Sequence, residues 1–182
     1  YFTAKRVDMT NLVTTVKMLQ AEAYNKLEAV RTIKKNQVEH FFQVQRNQLR
    51  VLKDDPFVRQ ALYELNEAFE GDGDKTQGPK WNALAHKHDP RLKQILKDNG
   101  WYDIFLVHTD GDIVYTVARE PDLGMIIPDS SLKDSGMGKV FRAAQKAGPD
   151  EIVIADYEPY AHSNGAQAAF MMGEMRNGLG KV

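Results

Sequence analysis

The chain has 182 residues, balances 24 Lys and Arg against 25 Asp and Glu, and is 42% apolar. That near-neutral charge argues against a dedicated nucleic-acid binder, and the absence of cysteine excludes disulfides, thiolate metal sites, thioether haem attachment and cysteine nucleophiles. The apolar share suffices for one or two cored domains, but no run approaches the ~20 apolar residues that span a bilayer.

The two halves differ in charge. Residues 1–100 carry a net +4 and residues 101–182 a net −5. The basic excess is scattered along helical faces and reads as solvated surface. The chain opens on Tyr1 with no signal-peptide pattern, so it reads as a fragment of a longer protein.

Leu12, Val16, Leu19, Ala23, Leu27, Val30 and Ile33 are spaced three and four apart, and the stripe resumes at Val38, Phe41, Phe42, Leu49 and Leu52. No Gly or Pro interrupts residues 7–55. The spacing predicts a helix from Thr10 to Lys53, about 66 Å long, beyond the usual globular range and suited to a coiled-coil-like stalk. Asp55 followed by Pro56 is a cap with proline in the first helical position, so a second helix should start there and run to Phe69. The glycine-rich loop Gly71–Gly78 separates it from a third helix, Pro79 to Asp98, with a potential break at Asp89-Pro90. Asn99-Gly100 ends it.

From Trp101 the apolar period switches to two. Strands are expected at 102–108, 112–118, 151–157 and 167–174, and a helix at 138–147. The first two strands should pair across Asp110-Gly111, because Gly accepts the positive φ of a tight hairpin. Asn177-Gly178 reads as another turn, with a last strand beginning at Leu179 and cut off. The expected class is α+β, with the long helix and a helical segment over residues 1–100 packed on an antiparallel sheet over 101–182. Ile152, Ile154 and Phe170 should be buried in that sheet's core.

At this point a resemblance emerges. Residues Ala23–Phe42 are similar to the first long helix of the extracytoplasmic sensor domain of bacterial methyl-accepting chemotaxis proteins. Tyr102–Val107, Gly111–Glu120, Asp134–Gly138 and Asp156–Ala166 resemble, in order, blocks of its PAS-like single Cache module. The resemblance covers residues 20–175. It implies a non-enzymatic, ligand-sensing domain in the periplasmic part of an inner-membrane protein, anchored in the membrane by its full-length chain. It does not imply the ligand. The same module could serve a sensor histidine kinase or a cyclic-nucleotide enzyme. A helical interaction module without a ligand is the rival from another class.

The residues themselves add candidate chemistry. Tyr115 and Arg119 share parity on one expected strand and would project from one face. If that face meets the 120–147 segment, an aromatic ring and a guanidinium line one pocket, and the guanidinium suits a carboxylate. The alternative is a surface salt bridge of Arg119 with Glu120 or Asp122. Asp156, Tyr157 and Tyr160 close the third strand and could recognise a small polar ligand, Asp156 its amine. Packing of the two tyrosines over the sheet edge is the alternative. Lys133 and Arg142 flank the segment that would roof the cavity. The expected ligand is a small carboxylate or amino acid held by Tyr115, Arg119, Lys133, Asp156, Tyr157 and Tyr160.

No catalytic constellation is legible. None of Ser130, Ser131, Ser135 and Ser163 sits in a nucleophile elbow, and Gly136-Met137-Gly138 lacks the Lys and Ser/Thr of a phosphate loop. His86 and His88 would point about 200° apart on a helix, so no metal or other cofactor is expected. A helix with more apolar stripe than one small sheet can cover suggests a homodimer through that helix.

Overall fold

The computed structural model describes residues 9–175. They form a mixed α+β structure with four α-helices and two two-stranded antiparallel sheets among the described residues. These residues fall into two compact units, one through Val44 and one from Gln45 onward. The expected turn at Asn177-Gly178 and the strand after it lie outside the described residues.

Helix α1 spans Met9–Lys53 without a break, as the uninterrupted stripe predicts. In the first unit its apolar positions from Met9 to Phe41 are exposed, and Phe42 and Val44 are half-buried. In the second unit Gln45 and Lys53 are buried. The Trp101 indole N–H donates to Gln45 Oε1, and Arg50 Nε donates to the Asp150 carbonyl at 3.3 Å.

Helix α2, Pro56–Gly71, starts as expected: Pro56 occupies its first turn, and the Asp55 carboxylate accepts from Phe57 N at 2.7 Å. Helix α3 spans Pro79–Asn99 and ends on Gly100 in the left-handed region, with Trp101 N closing onto the Leu96 carbonyl. The potential break at Asp89-Pro90 does not occur. Proline removes one helical hydrogen bond there. Trp81, Ala85, His88 and Leu92 are buried on both sides of it, and this stripe holds the two halves in line.

Strands β1, Phe105–Val107, and β2, Ile113–Thr116, pair antiparallel around the expected turn. Gly111 N donates to the His108 carbonyl, His108 N donates to the Asp112 carbonyl, and Gly111 adopts φ +101°. All four residues of β2 are buried, because the strand is covered on both faces. Leu106, Val114 and Tyr115 pack with α2 and α3. Ile113 packs with Ile127, Leu132 and helix α4, Gly136–Ala144. Residues 124–127 run back along the free edge of β2, with Ile113 N bonded to the Met125 carbonyl.

Strands β3, Val153–Tyr160, and β4, Ala166–Met172, form the second ladder. The single expected sheet is therefore two ladders. Side chains rather than ladder hydrogen bonds meet between them: the Phe105 and Phe170 rings pack edge to face, centroids 6.2 Å apart. Ile152 and Phe170 are buried as expected, but Ile154 is only half-buried. The register of β3 on β4 slips between Ala155 and Glu158, so strict alternation fails there.

Candidate functional site

Two polar groups of the second unit involve the expected site residues. The first forms where β2 meets α3. Trp81 donates its indole N–H to the Val114 carbonyl at 2.8 Å and so fixes α3 against β2. That contact brings Asp89, one turn beyond Ala85, beside the end of the strand. The Tyr115 hydroxyl donates to Asp89 Oδ1 at 2.7 Å, and Arg119 Nη2 donates to the same oxygen at 2.6 Å. Lys93 pairs with the other oxygen at 2.8 Å.

The Arg119 guanidinium also lies over the rings of Tyr115 and Trp81, 4.1 Å and 4.8 Å from their centroids. Burial pushes the Asp89 carboxyl up, but the hydrogen bonds from Lys93 and Tyr115 and the Arg119 charge outweigh it and leave it below its ordinary value. Burial, and then the bond to Asp89, push the Tyr115 phenol up.

This group corrects the expected orientation. Strand β2 ends at Thr116, and Arg119 sits beyond it with φ +57°. The backbone turns there, held by Arg119 N on Thr116 Oγ1 at 2.8 Å and by the guanidinium on the Thr116 carbonyl. Tyr115 and Arg119 do come together. They face α3 rather than the 120–147 segment, and an internal carboxylate already occupies the guanidinium.

The second group gathers three acids around the foot of the hairpin. Asp103 precedes β1, and its Oδ1 accepts from the backbone N–H groups of Ile104, Val117 and Ala118 at 2.7, 2.8 and 3.0 Å. Glu120 and Asp122 lie in the segment leaving β2. Glu120 accepts from the Tyr102 hydroxyl and from Ser163 Oγ, each at 2.6 Å. Asp122 is 0% exposed, and its Oδ2 accepts from the Tyr160 hydroxyl at 2.6 Å. Asp103 Oδ2 and Asp122 Oδ1 are buried with no hydrogen-bond partner among the described residues.

Burial pushes the Asp103 carboxyl up to about 6 against the pull of its three amides, and the Asp122 charge pushes the same way. Burial likewise raises Asp122, opposed by the Tyr160 bond and the nearby His162, and reinforced by Glu120. Burial, and then the bond to Asp122, raise the Tyr160 phenol.

The remaining expected site residues lie elsewhere. Asp156 and Tyr157 fall in the register slip of β3 and are exposed, Tyr157 at 56%. The slip resets the strand so that Tyr160, which the sequence places in a loop, ends β3 with its ring buried. Lys133 sits on a 3-10 turn, Ser131–Asp134, and is exposed, while its carbonyl accepts from Arg142. Sequence reasoning missed Asp89 and Asp103 as site residues and met Asp122 only as a salt-bridge partner. A lone acid before a strand or inside a helix carries no periodic signal. The one available hint was that Asp103 and Asp122 flank the hairpin, one before β1 and the other after β2.

Two open clefts lie away from these groups. One, of about 340 Å³, runs between α4 and β3 and is lined by Val140, Ile154 and Asp156. The other, of about 370 Å³, is lined by Glu70, Asp74 and the hairpin-turn residues His108, Asp110 and Asp112. Ligand atoms of those three turn residues lie within 4.8 Å of one another, a spacing that a cation could bridge. The Asp110 side chain is 80% exposed and leans on His108 at 3.4 Å.

Compared with protein-family models, curated proteins and solved structures, the chain matches none.

Proposed function

We propose that this chain is the ligand-sensing part of a bacterial chemoreceptor, a PAS-like single Cache module on the periplasmic side of the inner membrane, and not an enzyme. It takes a small polar metabolite at the foot of the hairpin, beside Tyr160, Asp103 and Asp122, and conveys occupancy to helix α1. What carries this reading is Asp122. A wholly buried carboxyl with a free oxygen is a costly arrangement, about 1–3 kcal/mol for the missing hydrogen bond. A bound ligand that supplies the bond offsets that cost.

The route to the helix is short. Asp103 is two residues from Trp101, whose indole N–H holds Gln45 on α1. A ligand that draws Asp103 and Asp122 together biases the seat of Trp101, and with it the packing of residues 45–53. The ligand acts by differential affinity for two packings of these elements.

Thermal melting against a metabolite panel tests the reading. A sensing domain should be stabilised by a narrow chemical set, by about 2.7 kcal/mol at a ligand concentration of roughly a hundred times Kd. Uniform melting across a broad panel would contradict it. A second copy of the chain is proposed to cover the apolar stripe of residues 9–41, which is exposed in the single chain.

A further inference from the structure

Which chemical group the hairpin site accepts can be read from what its side chains still offer. Every hydroxyl proton there is already given away: Tyr160 to Asp122, Tyr102 to Glu120, Ser163 to Glu120. The backbone amides of Ile104, Val117 and Ala118 are spent on Asp103 Oδ1. What is left is acceptor capacity, two buried carboxylate oxygens on two residues. No Lys or Arg is paired with Asp103, Glu120 or Asp122 among the described residues, and the nearest guanidinium in sequence, Arg119, is bound to Asp89. The imidazole of His162 is packed on the Tyr160 ring, with centroids 5.5 Å apart.

We infer that the hairpin site recognises a protonated amine, with the ammonium donating to Asp103 Oδ2 and Asp122 Oδ1. This inference rests on the sensing reading above and replaces the carboxylate-to-Arg119 contact with an amine-to-Asp122 contact. An ammonium is a donor-only group with three N–H bonds and complements a site that has only acceptors left. A calcium ion fits less well. It takes six to eight oxygens, whereas two carboxylate oxygens are free here and both Glu120 oxygens are engaged.

The test is calorimetric titration and thermal melting of the 182-residue chain with ethanolamine, putrescine, glycine and L-alanine. Acetate, succinate, glucose and calcium chloride serve as the counter-set. Stabilisation confined to the amine-bearing compounds supports the inference. It should be followed by a loss on the order of tenfold to a hundredfold in affinity in Asp122→Asn, which keeps the shape and the acceptor for Tyr160 but removes the charge.

Binding of acetate, succinate or glucose with no response to amines overturns the inference and leaves the sensing reading standing. Calcium acting in place of amines overturns it too, as does an amine whose affinity is unchanged in Asp122→Asn. No response to any of the eight compounds overturns it, while the wider metabolite panel decides the sensing reading separately. The wild-type comparison is decisive even where the variant does not fold.

Discussion

Asp103 and Glu64 pull the pH dependence of stability in opposite directions. Asp103 titrates near 6 in the folded chain and near 3.9 unfolded, so the folded state binds more protons between those values. Its contribution is complete below about pH 4 and is lost as the pH rises through about 6. Glu64 is held down to about 2 by Lys87 first, then by Gln60 and His88. Its contribution is present above about pH 4.3 and is lost as the pH falls toward 2. Denaturant titration at pH 3 to 7 should show Asp103→Asn flattening the upper window and Glu64→Gln the lower one. A slope between pH 4 and 6 that is unchanged in Asp103→Asn would refute the assignment.

Arg119 gives a second residue-scale expectation. Arg119→Ala removes the bond to Asp89 and the stacking on Trp81 and Tyr115, and should cost about 1–3 kcal/mol. Arg119→Gly should cost less than the alanine variant, because φ is +57° and glycine adopts it freely. Equal losses in the two variants, measured by denaturation, would remove backbone strain from the explanation. Tyr115 and Arg119 were expected together from shared strand parity, but β2 ends at Thr116 and they meet through the turn that follows it. Their true partner was not legible, because Asp89 lies 30 residues from Arg119 on another element.

At the scale of elements, caps and turns were the readable part. Asp55-Pro56, Gly100 and Asp110-Gly111 each mark a boundary that the fold uses, because each meets a local backbone requirement that neighbouring residues do not alter. The register slip in β3 was not readable. Nothing in Asp156-Tyr157 marks a bulge, and the slip exposes both residues while it buries Tyr160. Nor was the division into two ladders, which depends on how Phe105 meets Phe170 across the core. The hairpin turn can be tested directly. A Cβ on Gly111 would lie 2.5 Å from Pro128 Cδ and 3.3 Å from Phe141 Cζ, at φ +101°. Gly111→Ala should destabilise the chain by about 2–4 kcal/mol. A loss below 1 kcal/mol, on the scale of an unstrained surface substitution, would show that the turn relaxes and that its packing on α4 is loose.

On the whole-molecule scale, the first unit is made of helix α1 residues through Val44. Leu12, Val16, Leu19, Leu27, Val30 and Ile33 are each at least 45% exposed. A stripe of that length is a natural seam for a second copy. Sedimentation should show dimers whose population falls when Leu19 and Leu27 are replaced by Gln, and a strictly monomeric wild type at high concentration would contradict the seam. The proposed coupling of the hairpin site to α1 has its most direct test in hydrogen exchange of the 182-residue chain with and without a stabilising metabolite. The expected result is slowed exchange at residues 101–104, 117–123 and 160–163 together with altered exchange at 45–53. Protection confined to the hairpin foot, with residues 45–53 unchanged, would contradict transmission to the helix.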